Sequence, residues 1–173
     1  GLNDESLLFD NGHIIIRQAG NTDPVANNDN FTTNEDMVVN GNLLIDNGSG
    51  ADRDADGHAL SVRSETVSSL SGGSVIIAND GSFTYTPAED YNGTDSFSYR
   101  LLDSYGGHSI GTAYVTLNAV NDDPKARDDN FAGSTLDPVH GNLNADNGNG
   151  IDHDPEGDSF TTVSGTFATV QGG

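Results

Sequence analysis

The chain has 173 residues and carries 27 Asp plus Glu against 6 Lys plus Arg, a formal charge of −21. That balance excludes a nucleic-acid binder or a docker on anionic membranes, both of which need Lys and Arg against phosphate. There is no Cys, which excludes disulfides, thiolate metal sites and a cysteine nucleophile, and no apolar run approaches the roughly 20 residues of a membrane span.

The acidity is lopsided. There are 22 Asp and 19 Asn beside only 5 Glu, together with 22 Gly. A merely solubilising surface would use Glu as freely, whereas Asp and Asn form turns and supply the short oxygen ligands that a hard cation takes. Low hydrophobicity with high charge also suits a disordered chain, but here the apolar residues fall in short, regularly spaced runs.

In chain order, MVV (37–39), NLLI (42–45) and ALSV (59–62) read as short strands between turn-rich segments. SVIIA (74–78), Asn79-Asp80-Gly81 and SFTYT (82–86) form a hairpin around an Asp-Gly turn. DSFSYRLL (95–102) alternates Phe97, Tyr99 and Leu101, and TAYVTLNAV (112–120) alternates Ala113, Val115 and Leu117. No window of 11 or more residues keeps a helical apolar period. About seven short strands in roughly 100 residues predict an all-β, two-sheet sandwich.

The chain is also similar to itself at an offset of 100. Between the segments that begin at Pro24 and Pro124, 16 of 37 positions are identical without a gap, including Asp29/Asp129, Phe31/Phe131, Asp46/Asp146, Asp52/Asp152 and Asp54/Asp154. AGNTDP (19–24) matches AVNDDP (119–124), and Ser71-Gly72-Gly73 matches Gln171-Gly172-Gly173. The expected organisation is therefore 1–23 as the C-terminal strand or strands of a preceding repeat, 24–123 as a complete repeat, and 124–173 as the N-terminal half of a following one. The last half stops before its counterpart of SVIIANDGSFTYTP, so either the sequence is an excerpt of a longer array or neighbouring chains complete it by strand donation.

Two clusters are candidate metal sites. The first is Asp52-Arg53-Asp54-Ala55-Asp56-Gly57, repeated as Asp152-His153-Asp154-Pro155-Glu156-Gly157. Alternate carboxylates on a tight loop can converge on one ion, and Gly permits the sharp turn. A complete EF-hand fails, because its twelfth position would be Arg63 or Val163. Carboxylates this crowded repel one another unless a cation is present. The second cluster is the repeat junction, Asn121-Asp122-Asp123-Pro124 with Asp128-Asp129, mirrored by Asn21, Asp23-Pro24 and Asp29; a cation there would stiffen the joint. Solvated acidic turns and an ordinary acidic linker are the plain alternatives.

Asp46-Asn47 recurs as Asp146-Asn147 and is explained as well by turn formation. Glu35-Asp36, Glu89-Asp90, Asp95 and Asp103 are weaker candidates; Glu35 and Asp36 have no acidic counterparts at Thr135 and Leu136 and are expected on the surface. His13, His58, His108, His140 and His153 are scattered without a zinc-like spacing and are expected to be exposed bystanders. Nothing resembles a nucleophile elbow, a phosphate loop or a carboxylate pair across a cleft, so no enzyme is expected.

GSFTYTPAEDYNGTDSFSYRLLDSYGG (81–107), the Val/Thr-rich strand to NDDP, and the upstream GNLLIDNGSGADRDADGHALSV resemble the cadherin-like and immunoglobulin-like tandem repeats of about 95 to 100 residues in giant bacterial surface proteins. The resemblance implies Greek-key β-sandwich repeats in tandem, secreted and extracellular, with Ca2+ rigidifying the rod and roles in adhesion, biofilm matrix or attachment to secreted polysaccharide-degrading enzymes. It implies that Asp52, Asp54 and Asp56 form the family's acidic loop and that Asn121, Asp122 and Asp123 form its interdomain joint. The insert DNGSGA between Asp46 and Asp52 departs from the shortest family forms.

The leading expectation is a calcium-stiffened structural repeat whose partners are its neighbouring repeats. A competing one is a carbohydrate- or protein-binding module, for which Tyr91 and Tyr105 are the candidate platform. A further one is a self-assembling fibre subunit that exchanges strands between chains.

Overall fold

The structure, a computed structural model, describes residues 5–10, 13–18, 20–133 and 139–163. The sequence matches expected at Gln171-Gly172-Gly173 lie outside the described residues. The chain divides into two compact units, residues 1–120 and 121–173.

In the first unit, β1 (Glu5–Asp10) and β2 (His13–Gln18) form an antiparallel two-stranded sheet. Eight further strands make two four-stranded sheets. One consists of β3 (Asp29–Asn34), β5 (Leu60–Val62), β9 (Gly93–Asp103) and β10 (His108–Asn118), ordered β3-β10-β9-β5. The other consists of β4 (Val39–Asn42), β6 (Glu65–Ser68), β7 (Ser74–Ile77) and β8 (Ser82–Thr86), ordered β4-β8-β7-β6. Neighbours run antiparallel except β3 and β10, which are parallel, with Asp29 opposite Ala113 and Asn34 opposite Asn118. The fold is an all-β sandwich, as the alternation predicts.

The core lies between the sheets. β9 sends Phe97, Tyr99 and Leu101 inward, β10 sends Ala113, Val115 and Leu117, and Val75, Ile77, Phe83 and Tyr85 meet them from the opposite sheet. Burying each of the larger apolar side chains is worth about 1.5–3 kcal/mol. Phe31 packs edge-on to Phe83 at 4.9 Å, and Phe83 meets Phe97 at 5.3 Å. β4 crosses close over this aromatic group: a Cβ at Gly41 would stand 2.7 Å from the Phe83 ring, so a glycine is required there.

The expected strands at 37–39 and 42–45 merge into the single β4, because the chain turns at both flanks: Asp36 adopts a positive φ of 59° and Leu44 N–H caps back on Asn42 Oδ1. β6, which pairs with β7 and so closes the edge of the second sheet, was not expected from its sequence ETVS.

Among the described residues of the second unit there is no strand, but Lys125 and His153 form an isolated antiparallel bridge, the counterpart of Val25 and Arg53 in the first unit.

Candidate metal centre

The inward row of β9 has a carboxylate at each end: Asp95, Phe97, Tyr99, Leu101 and Asp103 all face the core, with Asp95 1 % and Asp103 7 % exposed. Extending the Phe97–Tyr99–Leu101 alternation by one step each way places both acids inside, a signal present in the sequence itself. Because β10 starts where β9 ends, Asp103 sits at the end of the sandwich where the segment 21–28 leads into β3 and where the 52–57 loop lies against that segment.

Several backbone contacts build this end. Val25 and Arg53 exchange backbone hydrogen bonds of 2.7 and 3.1 Å. Asp54 Oδ1 accepts the N–H groups of Asp56 at 2.9 Å and His58 at 3.0 Å, an Asx-type loop. Gly57 takes a φ of 75°, where a side chain would strain the turn. Asp56 Oδ2 accepts Thr22 N–H at 2.8 Å. Asp103 Oδ1 accepts Tyr105 N–H at 2.8 Å and Gly107 N–H at 2.7 Å, and its Oδ2 accepts the Asn21 amide at 2.7 Å. Asp23 Oδ1 accepts His108 N–H at 3.1 Å.

Asp54 is the exception in this tightly bonded group. Its side chain is 1 % exposed, and its Oδ2 is buried without a hydrogen-bond partner. A buried carboxylate oxygen with nothing to accept is costly, and it points to a cation or a donor the protein does not itself provide. One oxygen each of Asp54 and Asp56 and a nitrogen of His58 lie within 4.8 Å of one another. His58 is not the exposed bystander expected: its Nδ1 is buried, 3.5 Å from Asp54 Oδ1, and its ring packs on Tyr105 with centroids 4.1 Å apart. Loop closure in the fold, which spacing does not reveal, brings it there.

The hydrogen bonds set the electrostatics. The N–H and hydroxyl of Thr22 hold Asp56 below the ordinary carboxylate range. Burial pushes Asp103 up, but the Asn21 amide and the N–H groups of Tyr105 and Gly107 outweigh it and hold the group low. Both stay ionised at neutral pH, so the end of the sandwich is strongly negative.

Asp52 turns away from this group. Its Oδ1 accepts Asn27 N–H at 2.7 Å, and its Oδ2 lies 3.2 Å from the Tyr99 hydroxyl, which also reaches Asn27 O at 2.9 Å. Asp29 sits near the same hydroxyl, 2 % exposed, with its Oδ1 accepting the Asn47 amide at 2.8 Å and its Oδ2 without a partner. Burial pushes both carboxyls above the ordinary range, and burial together with the two negative charges pushes the Tyr99 hydroxyl up. The structure thus places Asp54 and Asp56 together and puts Asp52 with Asp29 instead.

The second unit repeats these bonds. Glu156 and Asp158 N–H donate to Asp154 Oδ1 at 3.2 and 2.9 Å, Asp122 N–H donates to Glu156 Oε2 at 3.0 Å, Arg127 N–H donates to Asp152 Oδ1 at 2.7 Å, and the Asn147 amide donates to Asp129 Oδ1 at 2.7 Å. Glu156 Oε1 is buried without a partner. Asp46 and Asp146 each cap two glycine N–H groups, at 48 and 50 and at 148 and 150, which accounts for their recurrence as turn formers. Asn121 donates to Asp122 O at 3.1 Å, Asp128 O accepts the Asn149 amide at 2.8 Å, and Asp123 and Asp128 are exposed.

Glu35 is not on the surface as expected. It is 2 % exposed: its own N–H donates to Asn118 O, while its carboxylate accepts Val120 N–H and the Asn92 amide. The parallel β3–β10 pairing carries it inward at the end where β10 finishes, and its role there is to clamp the departing chain. Of the two tyrosines proposed as a platform, Tyr91 is half-buried against the core with its hydroxyl on Thr94 O at 3.1 Å, and Tyr105, 41 % exposed, carries the His58 ring on one face.

Residues 21–119 match the family described as bacterial cadherin-like domain, and the chain belongs to it. Domains of this kind are typically non-catalytic and generally extracellular. No curated protein matches the chain. Among solved structures it is similar to a nucleoside hydrolase-related hypothetical protein from Saccharophagus degradans associated with carbohydrate metabolism, at 18 % identity and a TM-score of 0.39 over 59 % of this chain and 26 % of that one. It is also similar to the endo-fucoidan hydrolase MfFcnA4 from glycoside hydrolase family 107, at 19 % identity and a TM-score of 0.41 over 60 % of this chain and 14 % of that one. At such scores no function passes from either to this chain. No helix among the described residues is long and apolar enough to cross a membrane.

Proposed function

We propose that the chain is a calcium-binding structural module of a secreted bacterial adhesin, matrix or fibre protein, built of tandem repeats whose immediate partners are one another. The observation that carries this reading is the buried, partnerless Oδ2 of Asp54 in a loop that also presents Asp56. The donors fit the ion: carboxylate oxygens on an Asx-turned loop, of the hard type that calcium takes. Asp54 and Asp56 would hold it in the first unit, and Asp154 and Glu156 in the second. The bond-for-bond recurrence of the loop and the 100-residue offset support repeats in series.

The ion would supply positive charge where the carboxylates crowd. The protein's own residues do the rest. Asp54 Oδ1 ties the loop to itself, Asp56 ties it to Thr22, and Asp103 ties Asn21 to the β9–β10 turn. The segment that joins one repeat to the next is thereby bonded to the same loop that would carry the ion.

The test is a thermal melt in EDTA and across a calcium series, with magnesium as control. Calcium at 100 times its dissociation constant adds about 2.7 kcal/mol to a folded state that alone binds it, a rise of roughly ten degrees for a domain of this size. A melt indifferent to calcium would reduce the acidic loops to solvated turns.

A further inference from the structure

Three exchanges between the loops bear on chemistry: Arg53 to His153, both exposed; Asp56 to Glu156, which keeps the carboxylate; and His58 in the first unit, which stands where the second has Asp158. Backbone geometry is the same in both, since each residue donates its N–H to the leading aspartate at 3.0 and 2.9 Å. The side chains therefore start from equivalent places and offer different donors, an imidazole nitrogen in one loop and a carboxylate in the other.

His58 is placed as a ligand would be. Its Nδ1 is buried and has no hydrogen-bond partner, and the Asp54 side chain beside it, 1 % exposed, has a partnerless Oδ2. The ring lies tilted by 31° on Tyr105 at 4.1 Å, a contact that limits its rotation. A ring nitrogen and one oxygen from each of Asp54 and Asp56 lie within 4.8 Å of one another. Three donors about 2.0–2.2 Å from one ion stand within roughly 4.4 Å of each other, a separation close to the one these groups keep.

Calcium gains little from an imidazole nitrogen, because it takes oxygen ligands. Manganese, cobalt, nickel and zinc accept imidazole together with carboxylate. We infer that the first-unit loop is a mixed imidazole–carboxylate site, formed by His58, Asp54 and Asp56, that binds a divalent transition ion of the zinc class in competition with calcium, whereas the all-oxygen loop of Asp154, Glu156 and Asp158 does not share this preference. The inference rests on the reading of these loops as metal sites.

The test uses the whole chain stripped of metal, titrated with Co2+ followed by its visible absorption, then with Zn2+ and Ca2+ by calorimetry. The same titrations are run on His58→Asp and His58→Gln, with a melt in EDTA to confirm that each variant folds. The expected result is one Co2+ site weakened at least about tenfold in both variants, with calcium binding kept or tightened in His58→Asp. Co2+ affinity unchanged in both variants would overturn the inference, assigning the ion to other histidines, while leaving the calcium reading intact. Absence of calcium binding in the wild-type chain and in His58→Asp would overturn the calcium reading instead, and the His58-dependent loss of Co2+ would still decide this one. Should the variants fail to fold, the nitrogen resonances of His58 in the wild-type chain report directly: a Zn2+-induced shift of Nδ1 supports ligation, and an unmoved Nδ1 overturns it.

Discussion

Asp95 is buried and the Asp54 side chain is almost entirely covered, yet the two carboxylates have opposite surroundings. Asp95 is fully engaged: its Oδ1 accepts the N–H groups of Ser71 at 2.8 Å and Ser96 at 2.7 Å, and its Oδ2 accepts the Tyr85 hydroxyl at 2.8 Å. Asp54 spends one oxygen on its own loop and leaves the other with nothing. Burial is therefore not what marks a binding carboxylate. Asp95, with both oxygens engaged, is a structural brace between β9 and the turn after β6; Asp54, like Asp29, keeps a buried oxygen unanswered, and of these two it is Asp54 that stands beside further donors, Asp56 and His58.

Substitutions break the comparison most directly. Asp95→Ala strands the buried Tyr85 hydroxyl and removes the acceptor of two part-buried N–H groups, and is expected to cost about 3–5 kcal/mol in urea unfolding whether or not calcium is present. Asp54→Asn should behave in the opposite way. Its stability in EDTA stays at or slightly above that of wild type, because an uncompensated charge is removed, and the calcium-dependent gain of about 2.7 kcal/mol is lost. Equal losses from both variants in EDTA would erase the distinction. Tyr85→Phe removes a single bond from Asp95, and its expected cost is smaller, about 1–2 kcal/mol in the same measurement.

Acid sharpens the comparison. Burial pushes Asp95 up, but its hydrogen bonds outweigh that and hold it below its ordinary value. Its stabilisation is therefore complete above the unfolded value and lost only as pH falls through the lower, folded one. Asp29 and Asp52 are raised by burial; their ionised forms cost stability at neutral pH, and that cost is relieved as pH falls through their raised folded values, above the 3.8 of a free carboxyl. In EDTA, stability should thus rise on mild acidification and fall on strong acidification. Replacing Asp29 and Asp52 together by Asn should flatten the rise and leave the fall; a rise of unchanged size would assign it to relief of overall charge repulsion instead.

What the sequence made legible follows from period and turn chemistry. The β7–β8 hairpin, the inward rows of β9 and β10 and the acidic loop were all readable, because strict alternation and an Asp-Gly turn are local signals. Glu35 and His58 were not. Each is polar, without a motif, and covered, Glu35 wholly and His58 in part, by residues far along the chain: the end of β10 for Glu35 and Tyr105 for His58. Asp52 was grouped with Asp54 by spacing alone, whereas the loop conformation sends it to Tyr99, whose reach depends on the absence of a side chain at the facing Gly111.

The parallel pairing of β3 and β10 has a mechanical consequence. The chain enters β3 at one end of the sandwich and leaves β10 at the other, and these two strands lie side by side over residues 29–34 and 113–118. Tension along the chain would pull them past each other lengthwise, so their ladder of hydrogen bonds must yield together rather than open one rung at a time. Glu35, bonded to Val120 just beyond that ladder, adds a fastening at the point where the pull would begin. A module wired in this way resists stretching more than its equilibrium stability alone would suggest.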